Sequence, residues 1–444
     1  MLKRVNEPVT RKLKGIKIAD AKFPAPFVSG LEYAAPARGT WNIVHTGMLI
    51  PEAHEIFVCA AGCLRGVVLT AAEMHAEERF STVEIKEHNL LDGDLEDLLL
   101  DGVSDVIEKL PKRPPAVLVY TSCVHHFAGC DLEMVYKELE NRFPDIDFTD
   151  CYMNPIMRKS GLTPDQIMRS RLYALLKERE KNECAVAIIG NDLPTRESSE
   201  LLEILKTAGL KIHEITSCKT YAEYQEMAEA NCYISYNPSA IPGGEMLSER
   251  LGGEHLYVPF SFDYEAIDEG FERLGKALGI EIPDFSERKI ACDQAKKETY
   301  ALIGNTAITI DYTYCTRPLG LARMLLDAGF SVEKVYVDTI IGEEKADFEY
   351  LQVHFPELLL YPTVHSGMRF MANREIGKGL SIGQKAAYFE NNNHFVNVVE
   401  GGGMLGYDAV LHTLELMREA YQEEKDMRSL IQIKGMGCGC GGCG

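Results

Sequence analysis

The chain has 444 residues, 46% hydrophobic and 25% charged, with 67 acidic against 46 basic side chains and a formal net charge of −21. That length excludes one small fold, allows a sizeable core and, at about 150 residues per domain, suggests roughly three domains. The acidic balance argues against nonspecific nucleic-acid binding and against anionic membranes; it suits solubility or the docking of basic partners.

The N-terminal stretch Met1–Lys14 is polar and basic, without the apolar centre of a signal peptide. No apolar run approaches the ~18 residues of a membrane span, so a cytoplasmic protein is expected. Its 13 cysteines are then read as core thiols and metal ligands rather than disulfides. Helical patterns are predicted over Leu64–Glu78 and Leu95–Leu110, a buried strand over Ala116–Tyr120, a helix over Leu132–Arg142 and a short strand over Ile146–Thr149. From Cys184 the pattern restarts. Ala185–Ile189 is a continuous apolar run closed by Gly190, as suits a parallel strand covered on both faces. A helix over Ser198–Ala208, segments at Lys211–Ile215, Tyr221–Ala230 and Cys232–Ser235, and a helix over Ile267–Leu278 follow. A third round has strands at Ala307–Ile310, Val332–Val337 and Leu358–Tyr361, with helices at Gly320–Ala328 and Tyr407–Glu424. Three such rounds predict an α/β chain of three doubly wound, Rossmann-like domains with mainly parallel sheets. They are placed at 1–180, 181–300 and 301–426, before a Gly/Cys-rich tail at 427–444.

The strongest local signal is Cys59-Ala-Ala-Gly-Cys63 together with Thr121-Ser-Cys123. Cys63 lies just before a predicted helix, where free amides and the dipole favour a thiolate. Cys123 follows directly on a predicted strand, and ligands of doubly wound sheets gather at carboxyl ends of strands. Thiolates from such loops can share an iron–sulfur cluster or a zinc ion, and two cysteines four apart also occur simply as core residues. Cys130, His125 and His126 lie close by and can each complete a site or be ordinary loop and helix residues. In the tail, Cys438, Cys440 and Cys443 stand among glycines that leave three thiolates free to wrap one soft metal. Cys151, Cys184, Cys218, Cys292 and Cys315 have no partner at ligand spacing and are read as core or loop residues; by pattern alone Cys232 is another. Gly270-x4-Gly275-Lys276 fails as a P-loop, since Ala277 lacks the hydroxyl for magnesium and the stretch is helical with no strand before it. No nucleotide site of the chain's own is expected.

Six stretches stand in a consistent order: Tyr33-Ala-Ala-Pro-Ala-Arg-Gly39, Gly62-Cys63, Thr121-Ser-Cys123 through Gly129-Cys-Asp131, Ala185–Gly190, Arg317-Pro318, and Gly406-Tyr407-Asp408. Together they resemble the larger component of nitrogenase and its relatives: the dark-operative protochlorophyllide reductase, the nitrogenase-cofactor assembly scaffolds and the reductive cyclase of nickel-tetrapyrrole synthesis. The resemblance covers about Tyr33 to Asp426. It implies an oxidoreductase subunit that takes low-potential electrons from a separate P-loop iron protein, which accounts for the missing P-loop here. Electrons would enter through a cluster at an interface with a second copy or a related subunit, with Cys63 and Cys123 matching two of its ligands. A substrate or second metal cofactor would lie deeper, between the domains.

Two departures shape the expectation. The family's first ligand cysteine corresponds here to Leu31 or Glu32, with Cys59 as its replacement, which favours a four-iron cluster over an eight-iron one. Cys232 aligns roughly with the thiolate that anchors the large cofactor of nitrogenase, but the histidine expected before Gly406 is Leu405, which weakens a reading as a nitrogen reducer. The expected cluster ligands are Cys59, Cys63 and Cys123, with a fourth from Cys130, the tail or a partner subunit. The alternatives are a scaffold that assembles or carries a metal cofactor, and a zinc-stabilised α/β protein without redox work.

Overall fold

Continuous apolar runs in this chain form the centres of parallel sheets. A computed structural model of the chain describes residues 13–28, 30, 33, 43–153, 161–371 and 379–431. The first sheet contains β2 (His54–Ala60), β3 (Phe80–Ile85), β4 (Ala116–Ser122) and β5 (Asp147–Met153), in the order β3-β2-β4-β5, all parallel. All seven residues of β4 are buried, as expected for a central strand with helices on both faces. The second sheet repeats the plan with β6 (Asn182–Ile189), β7 (Lys211–Glu214), β8 (Ala230–Ser235) and β9 (Glu254–Tyr257), ordered β7-β6-β8-β9 and again parallel.

The third sheet has six strands in the order β1-β12-β11-β10-β13-β14. They are β1 (Ile16–Lys17), β10 (Ile308–Asp311), β11 (Val332–Tyr336), β12 (Leu359–Tyr361), β13 (Leu380–Ile382) and β14 (Phe395–Val396). Only β1 runs antiparallel, pairing Ile16 with Leu360. The chain is thus an α/β protein with three doubly wound, mainly parallel sheets. In each sheet the strand order reverses once, between β2 and β4, β6 and β8, and β10 and β13. Such switch points open crevices at the carboxyl ends of strands, where ligands bind in this class of fold.

The second sheet is covered by the other two. Ala187, Ile189 and Tyr233 on one face share a core with Phe57, Cys59 and Tyr120 of the first sheet. Val186, Ile188, Cys232 and Ile234 on the other face share a core with Ile308, Ile310 and Leu360 of the third. The outer face of the first sheet has its own core, where Val58 and Val119 meet Leu99 and Leu139. Phe57 and Tyr120 stack with ring centroids 4.0 Å apart, a contact worth about 0.5–1.5 kcal/mol beyond burial. It fixes β2 against β4 just below the ends that carry Cys59 and Cys123.

Some elements depart from the sequence reading. The helix predicted from Leu64 to Glu78 spans Ala61–Glu73 instead, starting directly after β2 so that Cys63 lies inside its first turn. It ends where His75 takes a positive φ of 53°. The polar His54 and Glu55 masked β2, although both are buried. The helix Ser286–Ile303 also went unpredicted, since it buries only Cys292, Thr299 and Ile303 and has little apolar period. No helix among the described residues is long and apolar enough to cross a membrane.

Candidate functional site

Three of the predicted ligand residues converge at the switch point of the first sheet. Cys59 is the penultimate residue of β2 and fully buried. Cys63 is exposed, in the first turn of the helix Ala61–Glu73. Cys123 is half-buried and opens the helix Cys123–Ala128 directly after β4. The Cys59 thiol is pushed up to about 12, first by burial and then by the charges of Cys63 and Cys123, so the three groups act on one another. Ala60 caps the helix Ala61–Glu73 with no side-chain hydrogen bond, which leaves first-turn amides free beside Cys63. Negative charge is favoured there.

A four-coordinate zinc ion with 2.3 Å bonds holds its sulfurs about 3.8 Å apart. Among the described residues no three Cys, His, Asp or Glu ligand atoms at this edge lie within 4.8 Å of one another; only His213, Glu226 and Glu229 form such a group. That group already holds a cation, since Lys211 Nζ lies 2.6 Å from Glu229 Oε1 and 3.2 Å from Glu226 Oε2. The three thiols are therefore not drawn together here as the ligands of a single zinc ion are.

Cys130 is not gathered with the three. It packs against the outer core, its amide donates to the His125 carbonyl at 3.1 Å, and its thiol is pushed up to about 11 by burial and by Glu96. His125 is buried rather than a loop residue. Its Nδ1 accepts from the Ser122 amide at 3.1 Å, which puts the proton on Nε2, and Nε2 has no hydrogen-bond partner. Cys232 sits in the middle of β8, in register between Val186 and Glu254, inside the core shared with the third sheet. Burial and Glu254 push its thiol up to about 12. Cys438, Cys440 and Cys443 lie outside the described residues, as do Leu31, Glu32 and residues 34–39 of the opening loop. Of that loop Tyr33 is described; its amide donates to the Val364 carbonyl at 2.6 Å.

A second crevice lies between the second and third sheets, in the deeper position between domains that the resemblance implied, although none of its lining residues was singled out as a ligand in the sequence. It is a small, partly open cleft with a cavity volume of about 30 Å³ where the carboxyl ends of β6, β8 and β10 face one another, and Asn191, Tyr236, Asn237, Cys315, Gly403 and Met404 line it. The glycine-rich turn Glu400–Gly403 forms one wall. At Gly403, φ is +70° and an added Cβ would lie 2.0 Å from the Pro194 carbonyl oxygen, so only glycine lets this wall approach the loop after β6. Arg196 holds the approach: its amide donates to the Gly403 carbonyl at 3.0 Å and its Nε to Asp408 Oδ2 at 2.8 Å. Leu405, in the place where the resemblance called for histidine, is buried in the core.

Comparison with known proteins gives a family and a fold. A family model described as nitrogenase component 1 type oxidoreductase matches residues 44–364. The solved structure described as nitrogenase Cp1 at pH 6.5 is similar to this chain with a TM-score of 0.64 and 15% identity, over 94% of this chain and 95% of that one. The structure described as nitrogenase Cp1 at pH 5 is similar with a TM-score of 0.56 and 14% identity, over 92% and 91%. At these identities the likeness carries the fold alone. Comparison with curated proteins gave no match. The matched stretch runs from the turn of helix before β2 through β12 and includes Cys59, Cys63 and Cys123; by that match the chain belongs to the nitrogenase component 1 type oxidoreductase family.

Proposed function

We propose that the chain is a nitrogenase-like oxidoreductase subunit in which Cys59, Cys63 and Cys123 hold an iron–sulfur cluster of the four-iron type. The observation that carries this reading is the convergence of the three thiols at the β2/β4 switch point, beside an uncapped helix start. A cluster held there supplies storage of a low-potential electron. The chain's own residues do the rest. The free first-turn amides can donate to the group beside Cys63, and the buried core around Cys59 keeps water from one side of it. Cys130 faces Glu96, so the fourth ligand is assigned to a partner subunit or to the tail.

Cys63 stands on an exposed edge with the apolar Leu91 and Phe127, which suits an interface with a second copy or a related subunit. The electron donor is assigned to a P-loop iron protein, in keeping with the absence of a P-loop sequence in this chain. The domains are taken as 1–180, 181–300 and 301–426. The tail thiols Cys438, Cys440 and Cys443 are assigned a metal-carrying role. The scaffold reading stays in view on one observation: the buried Leu405 offers no second anchor for a cofactor in the crevice, which suits cargo that must leave.

Anaerobic purification, with iron and sulfide counted per chain and the reduced sample examined by electron paramagnetic resonance, tests the proposal. The expected result is a low-potential cluster signal that disappears in Cys63→Ala and in Cys123→Ala. Absence of iron under strictly reducing conditions would sink it.

A further inference from the structure

The resemblance places a second metal cofactor deeper than the outer cluster, with Cys232 at one end and the residue before Gly406 at the other. The residues found there do not fit such a group. Cys232 is 4% exposed and packs in mid-strand among Val186, Ile188 and Ile234. Leu405, 2% exposed, has no ligand atom to offer. Tyr314, in the loop after β10, is fully buried; its hydroxyl shares a hydrogen bond with Thr413 Oγ1 at 2.7 Å, and its carbonyl accepts the Gly401 amide at 2.8 Å. The cleft that remains has a volume of about 30 Å³, room for about two or three water molecules. Among the described residues that line it there is one cysteine, Cys315, and no histidine, lysine or arginine. Arg317, two residues on, commits its charge to the frame: it donates to the Phe260 and Glu343 carbonyls at 3.0 and 2.7 Å and to Asp347 Oδ2 at 3.2 Å. A sulfide-rich cluster is anionic, and this cleft offers it neither the volume nor the compensating charge. Asn191 Oδ1, a buried acceptor at the wall with no donor in the protein, needs only a water.

We propose that this chain has no inner cofactor seat, and that its outer cluster passes electrons across the exposed edge of the first sheet to a metal group carried by a different protein. The inference rests on the oxidoreductase reading and stands against crevice-held cargo in the scaffold reading. A second copy of the chain cannot be the acceptor, because it repeats the same filled crevice. The edge suits a visiting protein. Val68, Leu90, Leu91 and Phe127 are exposed apolar side chains on the three helices that follow β2, β3 and β4, and the first of those helices carries Cys63. A net charge of −21 favours a partner with a basic docking face. The step is a bare electron transfer: the reduced cluster loses one electron, the oxidised metal group of the partner gains it, and no bond or proton changes place in this chain.

The test uses the full chain purified anaerobically, with iron and all other metals counted per chain in the parent, in Cys63→Ala, in Cys232→Ala and in Cys315→Ala. Denaturant unfolding shows whether each variant is folded. Cys63→Ala is expected to lose one group of about four irons, whereas Cys232→Ala and Cys315→Ala keep the full parental content. Loss of metal in either of the last two, from a chain that still unfolds cooperatively, would overturn the proposal. Redox titration of the parent is expected to show a single reducible group; a second one that persists after removal of residues 437–444 would overturn it whether or not the variants fold. Finally, the dithionite-reduced parent, freed of excess reductant, is mixed with oxidised cytochrome c, a basic protein whose haem iron takes one electron. The cluster signal is expected to disappear as one cytochrome is reduced per cluster. A reduced cluster that leaves cytochrome c oxidised would overturn the exit at the edge. The outcomes separate the two readings: a parent chain without iron defeats the outer cluster, whereas metal lost in Cys232→Ala or Cys315→Ala with the outer cluster intact defeats this inference alone.

Discussion

The carboxyl edge of the first sheet and the crevice between the second and third use one topological device under opposite exposure. At the first, Cys63 is exposed, the helix start beside it is uncapped, and Leu91 and Phe127 stand 86% and 71% exposed. In the second, Cys315 and Met404 are almost wholly buried, and the glycine wall is held by Arg196. A strand-order reversal provides a place for a ligand in both cases. Exposure then decides what the place can do. An open thiol edge can be completed by another chain and exchange electrons with it, whereas the narrow, buried crevice has no room for a redox group.

The largest effect expected from breaking this contrast is at the open edge. Cys63→Ala should abolish the outer cluster, read as loss of its iron and its resonance signal. Between the cluster-free chains it should change thermal stability by less than about 0.5 kcal/mol, because the side chain is exposed. A large loss of stability with iron retained would mean that Cys63 is structural.

The next effect concerns the frame behind the crevice. Glu344 is buried and accepts the amides of Leu319 and Gly320 at 2.6 and 3.1 Å, at the start of the helix that follows Cys315. Burial raises its carboxyl from the ordinary 4.5 to about 8. Its folded pKa is raised, so the native state holds a proton that the unfolded state has lost between those values. The stability Glu344 contributes is complete below pH 4.5 and falls as pH rises toward 8, by up to about 1.4 kcal/mol per pH unit for one proton. Above that it levels off. Unfolding measured from pH 5 to 8 should show this slope, and Glu344→Gln should flatten it. An unchanged slope in the variant would remove Glu344 as its source.

A smaller effect comes from the clamp. Arg196→Ala leaves Asp408, only 7% exposed, without its partner and should cost about 1–2 kcal/mol. If the clamp closes the crevice, iodoacetamide should also reach the buried Cys315 several-fold faster in the variant than in the parent chain. Slower unfolding or an unchanged labelling rate would show that the glycine wall does not depend on it.

What the sequence disclosed follows from the range over which each signal acts. The strands β4 and β6 were legible because burial on both faces leaves an unbroken apolar run. Cys63 and Cys123 were legible because each stands at a strand-to-helix passage. β2 was hidden by Glu55, whose carboxyl is buried with its pKa raised well above the usual range by that burial, and nothing local announces an acid inside a sheet. Cys315 was hidden for a different reason. Alone in sequence it has no ligand spacing, and Asn191, which lines the same cleft, follows a strand of another sheet. Only the meeting of β6, β8 and β10 makes them neighbours.

The smallest effect is the sharpest test of how the two thiols near the crevice differ. Side chains alternate along a strand, so Cys232 shares its face with Ile234 and the residues at the open end are Ser235, Tyr236 and Asn237. Cys232 therefore packs as a small apolar side chain among Val186, Ile188 and Ile234. Cys232→Ala removes one sulfur from a tight core and should cost about 1 kcal/mol in denaturant unfolding, with metal content and Cys315 labelling unchanged. The anchoring role that the resemblance gave Cys232 makes the contrary forecast: metal lost from the crevice without a matching loss of stability. Measuring both quantities on the same variant decides between a core thiol and an anchor, because packing loss and ligand loss move them in opposite proportion.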